Sequence, residues 1–530
     1  MTTNDLEEAK RICPKTGRII DPGNHLGMKR SGISRWFLPV GGFLALIWFL
    51  IRVIPKPSRA TYPCQKAAAP LAAAFVVWVS GLVGSLAADR RLRRLLIQRR
   101  YQAALGFAVL ILVIGGIAVV GLHSDTQSAS IVGPVGVGVG INPGRVVWCH
   151  DPDATSWDGE SGYWWEDEHT DQAVVDRMFH ESLLALTGGS DARDSWERLF
   201  RYANTKLEGE SAPYSAGEKV VVKLNLNTQD RHTCIHNTVD LSPQVVLAFV
   251  RSLVRDGGIP EEDVTMYDAS RWVADKIYDR VKAEFPGVVF VDNQGGDGRE
   301  KVVPDPRTPI YYDGIGIDTP DLLPTCVSEA KYMVNISIMK KHTLAGITAA
   351  AKNHFGSIFR TSDSQWSPSH LHDFVTTTTR PMGSANPLVS LMGHKELGGK
   401  TILYIVDGMY PGMQQSNENP SRFWMPPFNG DWTSSMFMSQ DPVAIESVLC
   451  DFFAAERGVP ANTRNYLVEA ALANDPPSAT RYDPERDGTP LQSLGVHETW
   501  NNQREKRYSG NDNPGTGIEL IALRTGGGGK

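Results

Sequence analysis

The pattern of apolar and polar positions divides the chain near residue 123. Before that point come three apolar runs without charge, at 36–51, 67–88 and 103–122. About 20 such residues cross the hydrocarbon core of a bilayer. The runs therefore predict three transmembrane helices, with buried helices of a soluble domain as the alternative. Beyond 123 a linker (123–145) leads into apolar, β-branched runs that alternate with helical ones. Strands are predicted at 219–227 (KVVVKLNLN), 264–270, 287–294, 332–340 (YMVNISIMK) and 401–408 (TILYIVDG). Helices are predicted over about 171–207, at 242–258 and 272–285, in the alanine-rich stretch after 340, at 441–458 and from about 463. Strands alternating with helices of this length predict an α/β fold, a mostly parallel sheet with helices on both faces. Here it would be preceded by the N-terminal three-helix transmembrane region. The α/β domain is expected over 146–510, and 511–530 as a flexible tail.

Charge adds a direction to this division. Residues 1–122 hold 17 Lys and Arg against 5 Asp and Glu, a net +12, while the remaining 408 residues carry a net −18. Six arginines lie in the twelve residues 89–100, between the second and third runs. By the positive-inside rule that loop is cytoplasmic. The segment 1–35 is then cytoplasmic and the large domain extracytoplasmic or periplasmic, on the far side of the inner membrane. An acidic domain lacks the basic footprint that nucleic acid requires. The six cysteines form no C-x-x-C, so neither a zinc site nor an iron–sulfur cluster is indicated. Cys149, Cys234, Cys326 and Cys450 read as isolated thiols, although an outer compartment would allow disulfides. No Walker loop, H-E-x-x-H or serine triad pattern is present.

The candidate chemistry lies at the ends of the predicted strands. A parallel sheet presents its ligand site outside the carboxyl ends of its strands. Lys223, Asn225 and Asn227 end the first strand at spacing two, and so share one face. Asp268, Ser270 and Arg271 end the second, Lys340, Lys341 and His342 the strand that opens at Tyr332, and Asp407 the last. A lysine inside a strand is costly unless paired. Lys223 is thus either half of an ion pair that holds the sheet or a group facing an anionic ligand. In the alanine-rich helix Lys352 and Asn353 are directed to the sheet edge, and His354 points about 160° away from Lys352. His342 sits at the expected strand-to-helix turn, where lysines and a helix start suit a phosphate or carboxylate. Asp441 reads first as a helix cap before Pro442, with Glu446 one turn on. A divalent metal is admitted by His150, Asp151 and Asp153, or by His232 and His236, with its identity open.

At these residues the chain resembles the bacterial and archaeal family called domain of unknown function 362 (DUF362). The resemblance rests on VVVKLNLN, KKHTLAGITAAAKNHFG, YIVDGMYPG and SQDPVAIESVLCDFF, and reaches from about residue 134 to the C-terminus. It implies that Lys223, Asn225, Lys340, Lys341, His342, Lys352, Asn353, Gly356 and Asp441 belong to the family pattern. Glu446 stands where that pattern has Asp. The resemblance supplies no reaction, and the ferredoxin-type cysteines of some members are missing. Three function classes follow. The first is an enzyme acting on a small anionic molecule, with Lys223, Lys341, His342 and Lys352 on the anion and Asp268 and Asp407 as base or metal ligands. The others are a solute-binding or sensing module, and an interaction scaffold whose Lys–Asp pairs only hold the fold. Oligomeric state stays open.

Overall fold

The computed structural model describes residues 47–48, 133–227, 231–233, 235–359, 369–413 and 418–525. The apolar runs at 36–51, 67–88 and 103–122 fall, but for residues 47–48, outside them. Among the described residues no helix is long and apolar enough to cross a membrane. The expected fold class is corrected accordingly, to a mixed α/β fold with a largely parallel central sheet and, among the described residues, no spanning helix. Residues 126–530 form one compact unit.

The sheet has ten strands, numbered here β1 (Arg145–His150), β2 (Val220–Leu224), β3 (Val264–Asp268), β4 (Val289–Asp292), β5 (Glu300–Lys301), β6 (Tyr332–His342), β7 (Gly346–Thr348), β8 (Thr401–Gly412), β9 (Ser435–Ser439) and β10 (Glu519–Arg524). Their order is β10-β1-β9-β8-β6-β2-β3-β4-β5, with β7 added to β6. Only β9 and β7 run against the rest. The longer helices and the short site helix are α1 (Gln172–Thr187), α2 (Ala192–Glu208), α3 (Pro243–Arg251), α4 (Asp275–Glu284), α5 (Ala350–Asn353), α6 (Pro387–Gly393), α7 (Pro442–Arg457) and α8 (Asn465–Ala471).

Strand alternation sorts the core into two layers. Val220, Val222 and Leu224 of β2, with Tyr332, Val334, Ile336 and Ile338 of β6, face a cluster that includes Val246 and Phe249 of α3 and Phe179 of α1. Val221 of β2 and Met333 and Met339 of β6 face the other cluster, with Ala350 of α5, Leu388 of α6 and Val448 of α7. Lys223 follows Val221 on this second face. Covering both faces explains why the strands read as continuous apolar runs.

Several expectations change. Strands β1 and β9 were not predicted, and the 304–324 insertion is a hairpin, Pro304–Tyr312 against Ile317–Pro324. The tail expected over 511–530 contains β10, which pairs in parallel with β1. The alanine-rich helix shrinks to four residues of α5 followed by a 3₁₀ turn at His354–Ser357. Ahead of it the chain reverses at Gly346, where φ is +86°, and β7 pairs back on β6 with Thr348 opposite Lys340. Glycine tolerates that φ, and the reversal overrides alanine's helical preference. His342 therefore precedes a hairpin rather than a helix start. Cys149, Cys326 and Cys450 are free thiols, and Cys234 lies outside the described residues.

Asp441 ties this scaffold together. Its carboxylate accepts from Val443 and Ala444, capping α7, at 3.0 and 2.8 Å, and from Val139 and Val496 at 3.0 and 3.2 Å. Replacing it strands four backbone donors. Asp441→Ala should lower stability by about 2–4 kcal/mol, read from the urea unfolding midpoint. A loss within 0.5 kcal/mol, the range of an ordinary surface change, would contradict this role.

Candidate functional site

The carboxyl ends of β2, β3 and β6 meet α5 around a cleft of about 180 Å³. Its base is a saturated polar layer. Lys223 has no exposed surface, and its Nζ donates to Asp268 Oδ2 and Asn353 Oδ1, both at 2.9 Å, and to Leu224 O at 2.5 Å. Three acceptors match the three protons of an ammonium group. Burial pulls the Lys223 pKa down, and the Asp268 charge opposes it. Asp268 spends its second oxygen on Ser270 N and Oγ and on Arg271 N, at 2.8–3.0 Å. Asn353 also accepts from Asn225 Nδ2 at 3.1 Å and donates to Asn335 Oδ1 at 2.8 Å. Gly356 closes over this layer. A Cβ there would lie 2.7 Å from Lys223 Nζ and 2.8 Å from each Asp268 oxygen, so only glycine fits.

Above the base the polar groups are not saturated. Among the described residues Asn225 Oδ1 and Thr348 Oγ1 are buried and have no hydrogen-bond partner, though both residues line the cleft. Native structures leave few such atoms. Three basic side chains join them. The Arg271 side chain makes no hydrogen bond or ion pair among the described residues. Lys340 Nζ donates to Asn227 Oδ1 at 2.6 Å, and burial lowers its pKa to about 7. Lys352 Nζ lies 3.2 Å from His372 Nε2 and 3.4 Å from the centre of the Phe355 ring. Burial drives its pKa well down, and Lys340 and Arg271 add repulsion. His342 accepts Leu344 N and Ala345 N at Nδ1, at 3.1 and 3.2 Å, so its hydrogen sits on Nε2. Burial lowers its pKa to about 2, and its ring stacks on His372 at 5.6 Å. Asp268 is the one carboxylate among the described residues of the lining, and both its oxygens are committed.

The match to known families falls on this same region. Residues 220–451 match the model of the family described as Domain of unknown function (DUF362). The chain carries a DUF362 domain. No curated protein matches the chain. The domain opens at the first residue of β2 and closes within α7, a narrower reach than the resemblance from residue 134. Every residue lining the cleft lies inside it.

Within the DUF362 domain the sequence candidates separate. Asn225, Asn227, Asp268, Lys340, His342, Lys352 and Asn353 line the cleft. Lys341 joins the wall, but its Nζ turns away to Gly458 O at 2.8 Å. Lys223 lies beneath, as a strut. Asp407 is not in the lining. It accepts Ser242 N, at the residue before α3, at 2.7 Å and Met409 N at 2.9 Å, and burial raises its pKa to about 6. Asp441 caps α7, as described. Glu446 is buried behind α5, where it accepts Ala351 N at 2.5 Å and the Tyr466 hydroxyl. It positions Lys352 and Asn353 from the rear. His354 is buried against Asn335 and Ser357, at 3.1 and 3.2 Å, away from the cleft.

The suggested metal ligands also part company. His232 binds Asp292 and Asp297, His236 binds the Thr238 hydroxyl, and His150 binds Thr433 O. Among the described residues no three His, Cys, Asp or Glu groups gather as they would about a metal. Arg271 was legible at a strand end. Thr348 depends on the β7 reversal, and Phe355 and His372 on tertiary packing, for which the sequence holds no local signal.

Two variants test this layering. Gly356→Ala should cost about 2–4 kcal/mol by forcing Lys223 and Asp268 apart, measured by urea unfolding, and a neutral result would refute the packing argument. Glu446 has its pKa raised by burial from 4.5 to about 7. The stability it contributes is therefore full below about 4.5 and lost as pH rises through 7. Glu446→Gln should match the native protein near pH 5 and exceed it by about 3 kcal/mol at pH 8. Parallel pH profiles would contradict a buried, shifted carboxyl.

Proposed function

We propose that the DUF362 domain binds and acts on a small anionic molecule in the cleft at the carboxyl edge of its sheet. The observation that carries this is the charge balance of the lining. Arg271 and Lys340 face a space in which the one carboxylate among the described lining residues is already paired with Lys223. Lining cations without counter-charge raise the local concentration of anions, and burial strengthens each contact relative to water. Thr348 Oγ1 supplies a donor and Asn225 Oδ1 an acceptor, both free of internal partners. That pairing suits an anion that also carries a hydroxyl, amine or carbonyl-derived group. The volume is that of a ligand of a few carbon atoms, smaller than a typical drug site.

The reading makes an affinity and a proton prediction. A bound anion favours the charged form of Lys340, whose pKa is near 7 when the cleft is empty. Binding should take up a proton between pH 7 and 9, and affinity should fall as pH rises through about 7. Calorimetry of the full chain with orthophosphate, 3-phosphoglycerate and malate, in buffers of differing ionisation heat, measures both. Arg271→Ala removes no internal hydrogen bond of the guanidinium. It should leave the melting temperature in place and weaken binding tenfold or more, about 1.4 kcal/mol. The absence of binding by any of these anions at millimolar concentration would overturn the reading.

A further inference from the structure

Five lysines in the described residues are buried: Lys223, Lys340, Lys352, Lys400 and Lys506. Four of them donate to oxygen. Lys223 and Lys340 do so as above, Lys400 to Glu396 and two carbonyls, and Lys506 to the carbonyls of Pro426 and Gln503. Lys352 has no oxygen partner. Its amine touches only an imidazole nitrogen and the face of a phenyl ring. A buried ammonium with three protons and no oxygen acceptor is costly. A neutral amine has no such need, and its lone pair makes it a nucleophile toward carbonyl carbon. The neighbours agree with that state. The charges that act on it, Lys340 and Arg271, are both positive, and burial acts the same way.

We propose that Lys352 forms an imine with the carbonyl carbon of a small aldehyde or ketone that also bears a carboxylate or phosphate. This rests on the anion-binding reading: Arg271 and Lys340 hold the anionic group while Lys352 Nζ meets the carbonyl. The lone pair of Nζ attacks the carbonyl carbon, and a C–N bond forms as the C=O π pair moves to oxygen. His372 Nε2, at 3.2 Å, is placed to take a proton from the nitrogen. The carbinolamine oxygen gains two protons in all and leaves as water, and the nitrogen lone pair closes C=N. No oxidant or reductant is needed. His342, neutral and carrying hydrogen on Nε2, is a donor on the same wall for the developing oxyanion. The imine nitrogen can be protonated next to a bound anion, which replaces the counter-charge that Lys352 otherwise lacks. It would then draw electrons from the adjacent carbon, the step common to enzymes that make or break bonds beside a carbonyl.

Reductive trapping tests this. The full chain is incubated at pH 7 with glyceraldehyde 3-phosphate or with pyruvate, each with cyanoborohydride, and the modified lysines are mapped by mass spectrometry. Lys352 should be labelled at least tenfold faster than the average lysine, and orthophosphate should slow it. The probe that labels faster identifies the acid group preferred. Lys352→Arg keeps a basic side chain but removes the primary amine, and should abolish that label while Arg271 and Lys340 still bind phosphate. Labelling spread evenly over surface lysines, or centred on Lys340, overturns the imine. If phosphate binds but Lys352 is not trapped, the imine fails and the anion site stands. If neither occurs, both fail.

Discussion

A single buried ion pair sets the terms for the edge of the sheet. Lys223 and Asp268 end adjacent parallel strands, and neither reaches solvent. A charge pair in such a place persists only when every remaining proton and lone pair is matched. The matching draws in Asn353, the Leu224 carbonyl, the Ser270 turn and a glycine at 356. Those four requirements fix where α5 starts, how closely the His354–Ser357 turn approaches, and the path of the chain after β3. The pair also commits the cleft's lining carboxylate, and so leaves Arg271 without an ion-pair partner among the described residues.

The site is therefore layered by hydrogen-bond saturation rather than by residue type. Lysine and asparagine occur in both layers. Below, Lys223 and Asn353 have all the partners they need. Above, Lys352 and one oxygen of Asn225 lack them. The difference follows from who sits behind each group. Glu446 and Tyr466 hold α5 from the far side, so that Lys352 faces the cleft with His372 and Phe355 as its contacts. Asp407 and Asp441 are as deeply buried, but they serve backbone donors at the starts of α3 and α7.

How much of this could be read from residues alone depends on whether the cause was local. The β-branched runs of β2, β3, β6 and β8 declared themselves because a two-face-covered parallel strand must be apolar throughout. Asp441 before Pro442 declared a helix start for equally local reasons. Strands β1 and β9 did not, since RVVWCH and SMFMS are short, the first with only two β-branched residues and the second with none. The alanine-rich stretch misled because its composition favours helix while Gly346 reverses the chain. His372 comes into the cleft across residues that share no pattern with it. Spacing put Lys223 among the ligand groups as readily as Lys352. Only the account of their partners separates them.

The placement of β1 has a consequence for the order in which the molecule can assemble. Its two neighbours are β9 and β10, and Arg145 finds its partner Glu519 across 374 residues of chain. Contacts so distant in sequence are made late and slowly. On a ribosome, β1 is synthesised early and must wait, with Val146 and Val147 uncovered, until almost the whole domain has been made. The half of the sheet from β2 to β6 has no such dependence and can form first. The side of the molecule that carries the polar cleft is thus the part that can mature early, and the far edge is a seam that closes last.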